Sequence, residues 1–419
     1  MNKKRFLFIL FLLFPSILTG RISKKDLCNK ICCVQATANY LCQFTSSLNV
    51  SITGLTNAVT TIESKLDNLE ISGIDDLESR VDDLETTVGI QITEGQVIDS
   101  SGYYIVQNDL TGCIVINASN VTLDLNDRII TGTCDPIIQV ISGNTNVTIK
   151  NGTLDGVDKT RDGIGLGAGA DDSTIFDVTI INCAKGIEVN SSNNGLFELC
   201  IMKNCDTHGL DLINSGTCEV KYCQVLDVDT TGEFTAFHAY YDGSGGNVTF
   251  FNCIAKNLIG TFVIAFDIED NNPGAIPDPT DFIIDGCIIG DIQATTAYGI
   301  KIEVNLAKVT NNQIFDIGST IDTIDSYGIL AVGSRTSYLY AHNNLIKNLS
   351  SSFRSRGIYT TNNNNHYLSG NMIQGLSSGG TRYAIQAGGV NTKVIGNMSV
   401  DNGGAPFNGG DQAGNSILV

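Results

Sequence analysis

The stretch NVTLDLNDRIITG, residues 120–132, alternates apolar and polar side chains, turns at an Asn-Asp pair and resumes with a short apolar run. Successive side chains of a β-strand point to opposite faces, so Val121, Leu123 and Leu125 would share one face. The same strand and turn return 26 residues later in NVTIKNGTLDG, which begins at Asn146. One strand and one turn that recur at this interval predict a repeat architecture.

A six-residue phrase carries the repeat through the rest of the chain. Its copies are VTIINC (Val178), CIMKNC (Cys200), CQVLDV (Cys223), CIAKNL (Cys253), CIIGDI (Cys287), NQIFDI (Asn312), NLIKNL (Asn344), NMIQGL (Asn371) and the degenerate NMSVDN (Asn397). The fifth position is always Asn, Asp or Gly, the residue types that tolerate a left-handed backbone. Each phrase is therefore predicted to be a strand that ends in a sharp bend, with the bends 22 to 34 residues apart. The bend residues are Asn182, Asn204, Asp227, Asn257, Asp291, Asp316, Asn348, Gly375 and Asp401.

A second phrase follows the same cadence and supplies another strand of each repeat. It occurs as GIEV (Gly186), GLDL (Gly209), GIKIEV (Gly299), GILAV (Gly328) and GIYTT (Gly357), with AIQA at Ala384. Neither a helical periodicity nor the leucine-rich signature occurs between the phrases. The prediction is an all-β fold, a parallel β-solenoid of roughly ten to twelve coils stacked about 4.8 Å apart.

These phrases resemble the right-handed parallel β-helix proteins of the pectin-lyase-like superfamily. NVTLDLNDRIITG and NVTIKNGTLDG look like first coils of that family, and SGYYIVQNDL, from Ser101, looks like its N-terminal cap. The resemblance covers about residues 95–400 and implies the fold. It leaves the activity open, because the family includes lyases, hydrolases, adhesins and phage spikes.

The N-terminal part of the chain has a different composition. Residues 1–20 combine a basic start with a short apolar run and are typical of a secretory signal. Residues 21–45 form a Cys-rich segment predicted to be helical, and residues 46–88 carry apolar residues at alternating four- and three-residue spacing, a coiled-coil seam. The β-helix would span residues 89–400, and residues 401–419 form a Gly-rich tail. We therefore expect a secreted, periplasmic or cell-surface protein that forms a dimer or trimer through the coiled coil.

The overall charge excludes one class of partner. Lys and Arg number 25 against 44 Asp and Glu, so the formal net charge is −19. Nucleic acids and anionic membranes require a basic surface, and we expect neither as a partner.

Equivalent residues of stacked coils should form columns inside the solenoid. Cysteines occupy the first position of four consecutive phrases, and asparagines occupy the phrases after them. We expect the cysteines to be buried free thiols and the asparagines to form a hydrogen-bonded ladder. The columns are Cys200, Cys223, Cys253 and Cys287, then Asn312, Asn344 and Asn371, with Cys183 and Cys205 together in another.

Outward positions of the second phrase are the candidate binding residues. Carboxylates beside aromatic rings are typical of a sugar groove, because rings stack on pyranose faces while acids accept hydroxyl groups or hold Ca²⁺. Residues 229–246 and 269–281 are predicted to be insertions that flank this surface. The alternative is a solvated acidic face without a ligand. Lys301 is predicted to lie in the same outward column as Glu188 and Asp211. The candidates for glycan binding are Glu188, Asp211, His238, Tyr240, Tyr241, Asp267 and Glu303.

No cofactor is required by this reading, although Ca²⁺ is a candidate. Its candidate ligands are Asp267, Glu269 and Asp270. Carboxylate and carbonyl oxygens are the ligands that Ca²⁺ prefers.

The catalytic patterns of the family are incomplete in this chain. A pectate lyase of the family implies Ca²⁺ and a basic residue, usually Arg, yet no Arg lies between Arg161 and Arg335. The polygalacturonase-like pattern has only partial matches, in Asp171-Asp172 and Thr207-His208-Gly209, and lacks its Arg-Ile-Lys. The leading hypothesis is a secreted or surface β-helix that binds polysaccharide or mediates attachment. The alternatives are a polysaccharide lyase or glycoside hydrolase, for which Glu188 and Asp211 could supply two carboxylates, and a structural surface component.

Overall fold

The computed structural model describes residues 89–92, 95–242, 246–270, 282–318, 325–332, 338–361, 365–388, 391–400, 407–408, 411–413 and 415–418, together with Thr60. The chain divides into two units, Met1–Leu84 and Glu85–Val419. Apart from Thr60, the predicted signal, Cys-rich segment and coiled coil lie outside the described residues. Export and oligomerisation therefore stay predictions.

The second unit consists of short parallel strands. The first twelve are β1 (Ile90–Ile92), β2 (Val97–Ile98), β3 (Gly102–Val106), β4 (Leu110–Gly112), β5 (Ile114–Ile116), β6 (Val121–Gly132), β7 (Ile138–Val140), β8 (Val147–Asp155), β9 (Ile164–Leu166), β10 (Thr174–Ile181), β11 (Lys185–Asn190) and β12 (Gly195–Glu198). The next twelve are β13 (Ile201–Lys203), β14 (His208–Ile213), β15 (Cys218–Lys221), β16 (Gln224–Asp229), β17 (Glu233–Tyr241), β18 (Val248–Phe251), β19 (Ile254–Asp270), β20 (Phe282–Asp285), β21 (Ile288–Glu303), β22 (Leu306–Thr310), β23 (Gln313–Gly318) and β24 (Asp325–Ala331). The last are β25 (Tyr338–His342), β26 (Leu345–Ser351), β27 (Arg354–Thr360), β28 (Tyr367–Ser369), β29 (Met372–Gln374), β30 (Ser377–Ser378), β31 (Thr381–Ala387), β32 (Lys393–Ile395), β33 (Met398–Val400), β34 (Phe407–Asn408), β35 (Asp411–Ala413) and β36 (Ser416–Leu418).

Three stacks of strands, named ladders 1, 2 and 3, build the solenoid. Ladder 1 stacks β12, β15, β18, β20, β22 and β25, and ladder 2 stacks β13, β16, the first part of β19, the first part of β21, β23 and β26. Ladder 3 stacks β9, β11, β14, β17, the second parts of β19 and β21, β24, β27 and β31. The pairing continues through β34, β35 and β36, within the range that the sequence suggested as a tail. The parallel β-solenoid is therefore confirmed.

The predicted bends have the predicted backbone. The bend residue of each phrase from Asn182 to Gly375 has a φ between 53° and 69°, in the left-handed region. Bend side chains also bond from coil to coil: Asn204 Nδ2 donates to Asn182 Oδ1 at 2.7 Å, and Asn257 Nδ2 donates to Asp227 Oδ1 at 2.8 Å. The bend residues thus set the corner and tie neighbouring coils together. Asp401 lies outside the described residues.

The asparagine column inside the solenoid forms the predicted ladder. Asn344 Nδ2 donates to Asn371 Oδ1 at 2.9 Å and to the Val309 carbonyl at 2.8 Å, while its own Oδ1 accepts from the backbone N–H and Nδ2 of Asn312. Asn397 continues the column, donating from Nδ2 to the Leu368 carbonyl at 2.8 Å. Because these amides are buried, each bond satisfies a group that would otherwise be costly to remove from water.

The predicted buried thiols are confirmed in both cysteine columns. Cys200, Cys223, Cys253 and Cys287 are free and buried, as are Cys183 and Cys205. Two cysteines that the sequence did not single out, Cys113 and Cys134, form a disulfide near the start of the solenoid.

Hydrophobic side chains from all three ladders fill the interior. Phe237, Phe250 and Phe266 pack there, with the Phe237 and Phe266 rings stacked 4.7 Å apart. Within the part of the chain that the structure describes, no helix has the length and hydropathy needed to span a membrane.

Candidate functional site

A small residue, glycine or alanine, in each coil of ladder 3 breaks the alternation of the strand and brings two side chains onto one outward surface. In β14, Gly209 and Leu210 both face inward, so His208 and Asp211 lie on the same side although they are three residues apart. A Cβ at Gly209 would lie 2.5 Å from the Ala236 carbonyl oxygen, which only glycine avoids. The second phrase thus supplies a strand and also brings His208 and Asp211 onto one surface.

The outward surface of ladder 3, named the ladder-3 face, carries three columns of side chains. The first column runs Lys185, His208, Thr235, Ile264, Tyr298, Tyr327, Arg356, Tyr383. The second runs Glu188, Asp211, His238, Asp267, Lys301, Leu330, Tyr359, Gln386, and the third runs Asn190, Ile213, Tyr240, Glu269, Glu303. The predicted shared column of Glu188, Asp211 and Lys301 is present, and His238 and Asp267 belong to it.

Asp211 is the centre of a cluster at the N-terminal end of the face. Its Oδ1 accepts a hydrogen bond from His238 Nδ1 at 2.8 Å, and its Oδ2 accepts one from Lys185 Nζ at 2.8 Å. Lys185 also contacts Glu188 at 3.0 Å, and the His208 ring lies 5.2 Å from that of His238. Asp211 is only 2% exposed, so both of its oxygens are committed to protein donors. It organises Lys185 and His238 instead of meeting a ligand directly.

The two histidines of the cluster differ in their affinity for a proton. Burial lowers the pKa of His208 to about 4, and its Nδ1 is buried with no hydrogen-bond partner among the described residues. Burial opposes the charge of His238 as well, but the hydrogen bond and the negative charge of Asp211 raise its pKa above the usual value. Near neutral pH, His208 is therefore a neutral proton acceptor beside a histidine that holds its proton more tightly.

A second cluster surrounds Lys301 in the middle of the face. Its Nζ lies 3.2 Å from Asp267 Oδ1 and 3.3 Å from Glu303 Oε1, and it also bonds Glu269. Burial opposes the charge of Lys301, but these three carboxylates raise its pKa. One ammonium group cannot neutralise three carboxylates. Burial together with the neighbouring Glu269 raises the pKa of Asp267 to about 7, although Lys301 opposes this shift.

The raised pKa of Asp267 predicts a pH dependence of stability. In the folded state Asp267 keeps its proton up to about pH 7, whereas an unfolded aspartate loses its proton near pH 4. The stability that this bound proton contributes is therefore present at low pH and is lost as the pH rises through 7. Asp267→Asn removes the titrating group. We expect the free energy of unfolding of the variant minus that of wild type to be about 2–3 kcal/mol larger at pH 8 than at pH 5, so the variant gains relative stability at the higher pH.

Urea denaturation at the two pH values measures this difference. Asp291→Asn is the matched control, because Asp291 and Lys256 form an ion pair at the surface with side chains 38% and 42% exposed. The control should follow wild type at both pH values. Equal effects of Asp267→Asn at pH 5 and pH 8 would contradict the prediction.

Two of the sequence-based expectations for this face are corrected. Tyr241 was expected to stack on a sugar, but it is 1% exposed and its ring packs inside on Phe282, 5.3 Å away. The reason is strand alternation: Tyr240 takes the outward position, so its neighbour points inward. Residues 233–241, expected within an insertion, form strand β17 of ladder 3 itself. Residues 271–281 lie outside the described residues.

Neither cluster provides ligands that are all available to a metal ion. Single ligand atoms of His208, Asp211 and His238 lie within 4.8 Å of one another, but Lys185 and His238 already bond the Asp211 oxygens. At the predicted Ca²⁺ ligands, the ammonium of Lys301 contacts Asp267 and Glu269 where a cation would bind. Ca²⁺ therefore stays a prediction that requires Lys301 to move.

The C-terminal end of the face is aromatic and basic. Tyr298 stacks on Tyr327 with ring centroids 5.2 Å apart, and Tyr327 stacks on Tyr359 at 5.8 Å. The Arg356 guanidinium lies 4.2 Å from the Tyr359 ring centroid. The sequence-based candidates did not include these residues. The sequence feature that could have identified them is their position relative to the glycine of the second phrase.

The family of the chain follows from its sequence together with this geometry. The pattern described as "Right handed beta helix region" matches residues 88–244 and 162–346. The chain belongs to the right-handed β-helix family. No curated protein matches the chain.

Solved structures share the right-handed β-helix fold at low sequence identity. The A-module of the Azotobacter vinelandii mannuronan C-5 epimerase AlgE6 aligns with a TM-score of 0.52 and 17% identity, covering 81% of this chain and 93% of that one. The tailspike of Escherichia coli bacteriophage HK620 aligns with a TM-score of 0.37 and 12% identity, covering 82% and 74%. A PL6 family polysaccharide lyase from Pseudopedobacter saltans aligns with a TM-score of 0.33 and 12% identity, covering 79% and 92%. At 17% identity the likeness to the epimerase shows the right-handed β-helix fold alone.

Proposed function

We propose that the ladder-3 face binds a polysaccharide chain along the axis of the solenoid. The observation that carries the proposal is the register of the outward columns, which puts polar or aromatic side chains into consecutive coils from Lys185 to Arg356. Neighbouring coils are about 4.8 Å apart, close to the length of one sugar residue in an extended chain. The epimerase with the same fold acts on mannuronan, as its name states. Export, attachment at the cell surface and assembly through residues 46–88 belong to the same proposal and rest on the sequence.

A glycan array probed with the full chain tests the proposal. We expect His208→Ala and Tyr240→Ala each to weaken binding of the best array hit at least tenfold, about 1.4 kcal/mol, because both side chains lie on the face. Tyr340→Ala is the matched control: Tyr340 is 41% exposed and lies on ladder 1, next to Tyr367. If only Tyr340→Ala weakens binding, the glycan lies on ladder 1, and if no glycan binds, the proposed function is wrong.

A second candidate function is catalysis on the bound chain. It is favoured by the opposite pKa shifts of His208 and His238, because paired groups with separated pKa values are the usual acid and base of an active site. The His208 ring would accept a proton from the sugar, and His238, hydrogen-bonded to Asp211, would donate one to it. The reaction class is proton transfer at a sugar carbon or at a glycosidic oxygen, as in a lyase or a glycoside hydrolase.

Incubation of the best array hit with the protein in D₂O separates binding from catalysis. Mass spectrometry detects shortening of the chain, and NMR detects deuterium at a sugar carbon. Catalysis predicts one of these changes in wild type and neither in His208→Ala. An intact glycan without deuterium after prolonged incubation identifies the face as a binding surface only.

A further inference from the structure

Arg356 carries a buried charge without a carboxylate partner in the described part of the chain. It is 6% exposed, and its Nε is buried with no hydrogen-bond partner. Its one bond among the described residues runs from Nη1 to the Tyr327 hydroxyl at 2.5 Å. A buried guanidinium is costly unless it is paired and fully hydrogen-bonded. The arrangement therefore leaves donors that a bound group could satisfy.

The surroundings of Arg356 have an excess of positive charge. Asp325 Oδ1 accepts from Arg354 Nε at 2.7 Å, and its Oδ2 accepts from the Tyr327 hydroxyl at 2.6 Å. The single carboxylate of Asp325 is thus shared between Arg354 and the hydroxyl that receives the Arg356 bond. Among the described residues around Arg356, two guanidinium groups against one carboxylate leave one positive charge, on a chain whose net charge is −19. This local reversal of sign, at a buried arginine, points to an anionic group on the ligand.

We infer that Arg356, with Tyr327 and Tyr359, forms a subsite for an anionic sugar at the C-terminal end of the ladder-3 face. The inference rests on the proposed function and names the substrate class: a polysaccharide that carries carboxylate groups. A guanidinium group is planar and can donate two parallel hydrogen bonds to a carboxylate, and the Tyr359 ring, 4.2 Å from the Arg356 guanidinium, fixes its orientation. Sulfate would use the same donors, so the two anions are compared directly.

The test uses acidic oligosaccharides and their carboxyl-reduced counterparts. The full chain is titrated with mannuronate oligosaccharides and other uronate-bearing oligosaccharides of the array, each beside the neutral sugar made by reducing its carboxyl groups, and with sulfated forms of those neutral sugars. We expect at least one uronate oligosaccharide to bind tenfold more tightly than its reduced form, and more tightly than the sulfated form. This comparison requires only the wild-type protein.

Arg356→Gln should abolish the preference, and urea denaturation of the variant reports that it is folded. Arg356→Lys should restore part of the preference, because it keeps the charge and loses the planar fork. Arg128→Gln is the control for the same change in net charge, at an exposed position of β6, the strand that pairs with β8.

Three outcomes distinguish the inference from the proposed function. Equal binding of uronate and reduced sugars, or an unchanged preference in Arg356→Gln, overturns the acidic subsite and leaves polysaccharide binding in place. A preference for the sulfated forms overturns the carboxylate assignment. The absence of binding to any sugar overturns the proposed function together with this inference.

Discussion

Replacement of Asp211 by asparagine is expected to lower the free energy of unfolding by about 3–5 kcal/mol, the cost of removing one partner from a buried charge network. The change keeps the shape of the side chain but leaves Lys185 and His238 close together without the carboxylate that bonds both. The pKa of His238 should fall, because the charge that raises it is gone. Urea denaturation at pH 7 measures the stability, and NMR titration of the histidine rings measures the pKa.

Asp291→Asn serves again as the control for Asp211→Asn. It makes the same chemical change in an ion pair at the surface, where such pairs contribute about 0–1 kcal/mol. A loss below about 1 kcal/mol in Asp211→Asn, or an unchanged His238 titration, would show that Asp211 does not hold the cluster together.

Replacement of Lys301 by methionine is expected to destabilise the protein by a comparable amount, about 3–5 kcal/mol at pH 8. The change leaves Asp267, Glu269 and Glu303 together on adjacent coils without their shared cation. The loss should be smaller at pH 5, because Asp267 is already protonated there in the wild type and the other carboxylates take up protons more readily without Lys301.

Lys256→Met is the matched variant for Lys301→Met, because it removes the exposed lysine of the Lys256–Asp291 pair. Denaturation midpoints of both variants at pH 5 and pH 8 make the comparison. If Lys301→Met costs as much at pH 5 as at pH 8, carboxylate repulsion is not the cause.

The parts of the fold that could be predicted are those that local backbone chemistry determines. Asn182 and Asn204 were placed at equivalent bends because few residue types tolerate a left-handed φ, and both have it. The asparagine column was predictable for a similar reason, since a buried amide requires a partner and the next coil offers one. In both cases the constraint lies within a single phrase and recurs with it.

The candidate site was predicted only in part, because its construction depends on a break in strand alternation. Strict alternation identified Glu188 and Asp211 as outward residues but assigned Lys185 no role and His208 only a partial motif match. Gly209 interrupts this alternation because it faces inward beside Leu210, which brings His208 onto the ladder-3 face. The misplacement of Tyr241 is a smaller error of the same kind, in which two adjacent tyrosines were assigned to one surface although one strand presents them to opposite sides.

The asparagine column has a consequence for how the solenoid can evolve. Asn312 Oδ1 accepts the backbone N–H of Cys287 in the preceding coil, as Asn371 Oδ1 accepts that of Asn344. Each of these asparagines therefore accepts a backbone N–H from the equivalent position of the preceding coil, whether that position holds a cysteine or an asparagine. Duplication or excision of a segment that joins two equivalent asparagines, such as residues 344–370, would leave every hydrogen bond of this kind intact. Natural selection could then lengthen or shorten the ladder-3 face one coil at a time without changing the hydrogen bonds of the interior column.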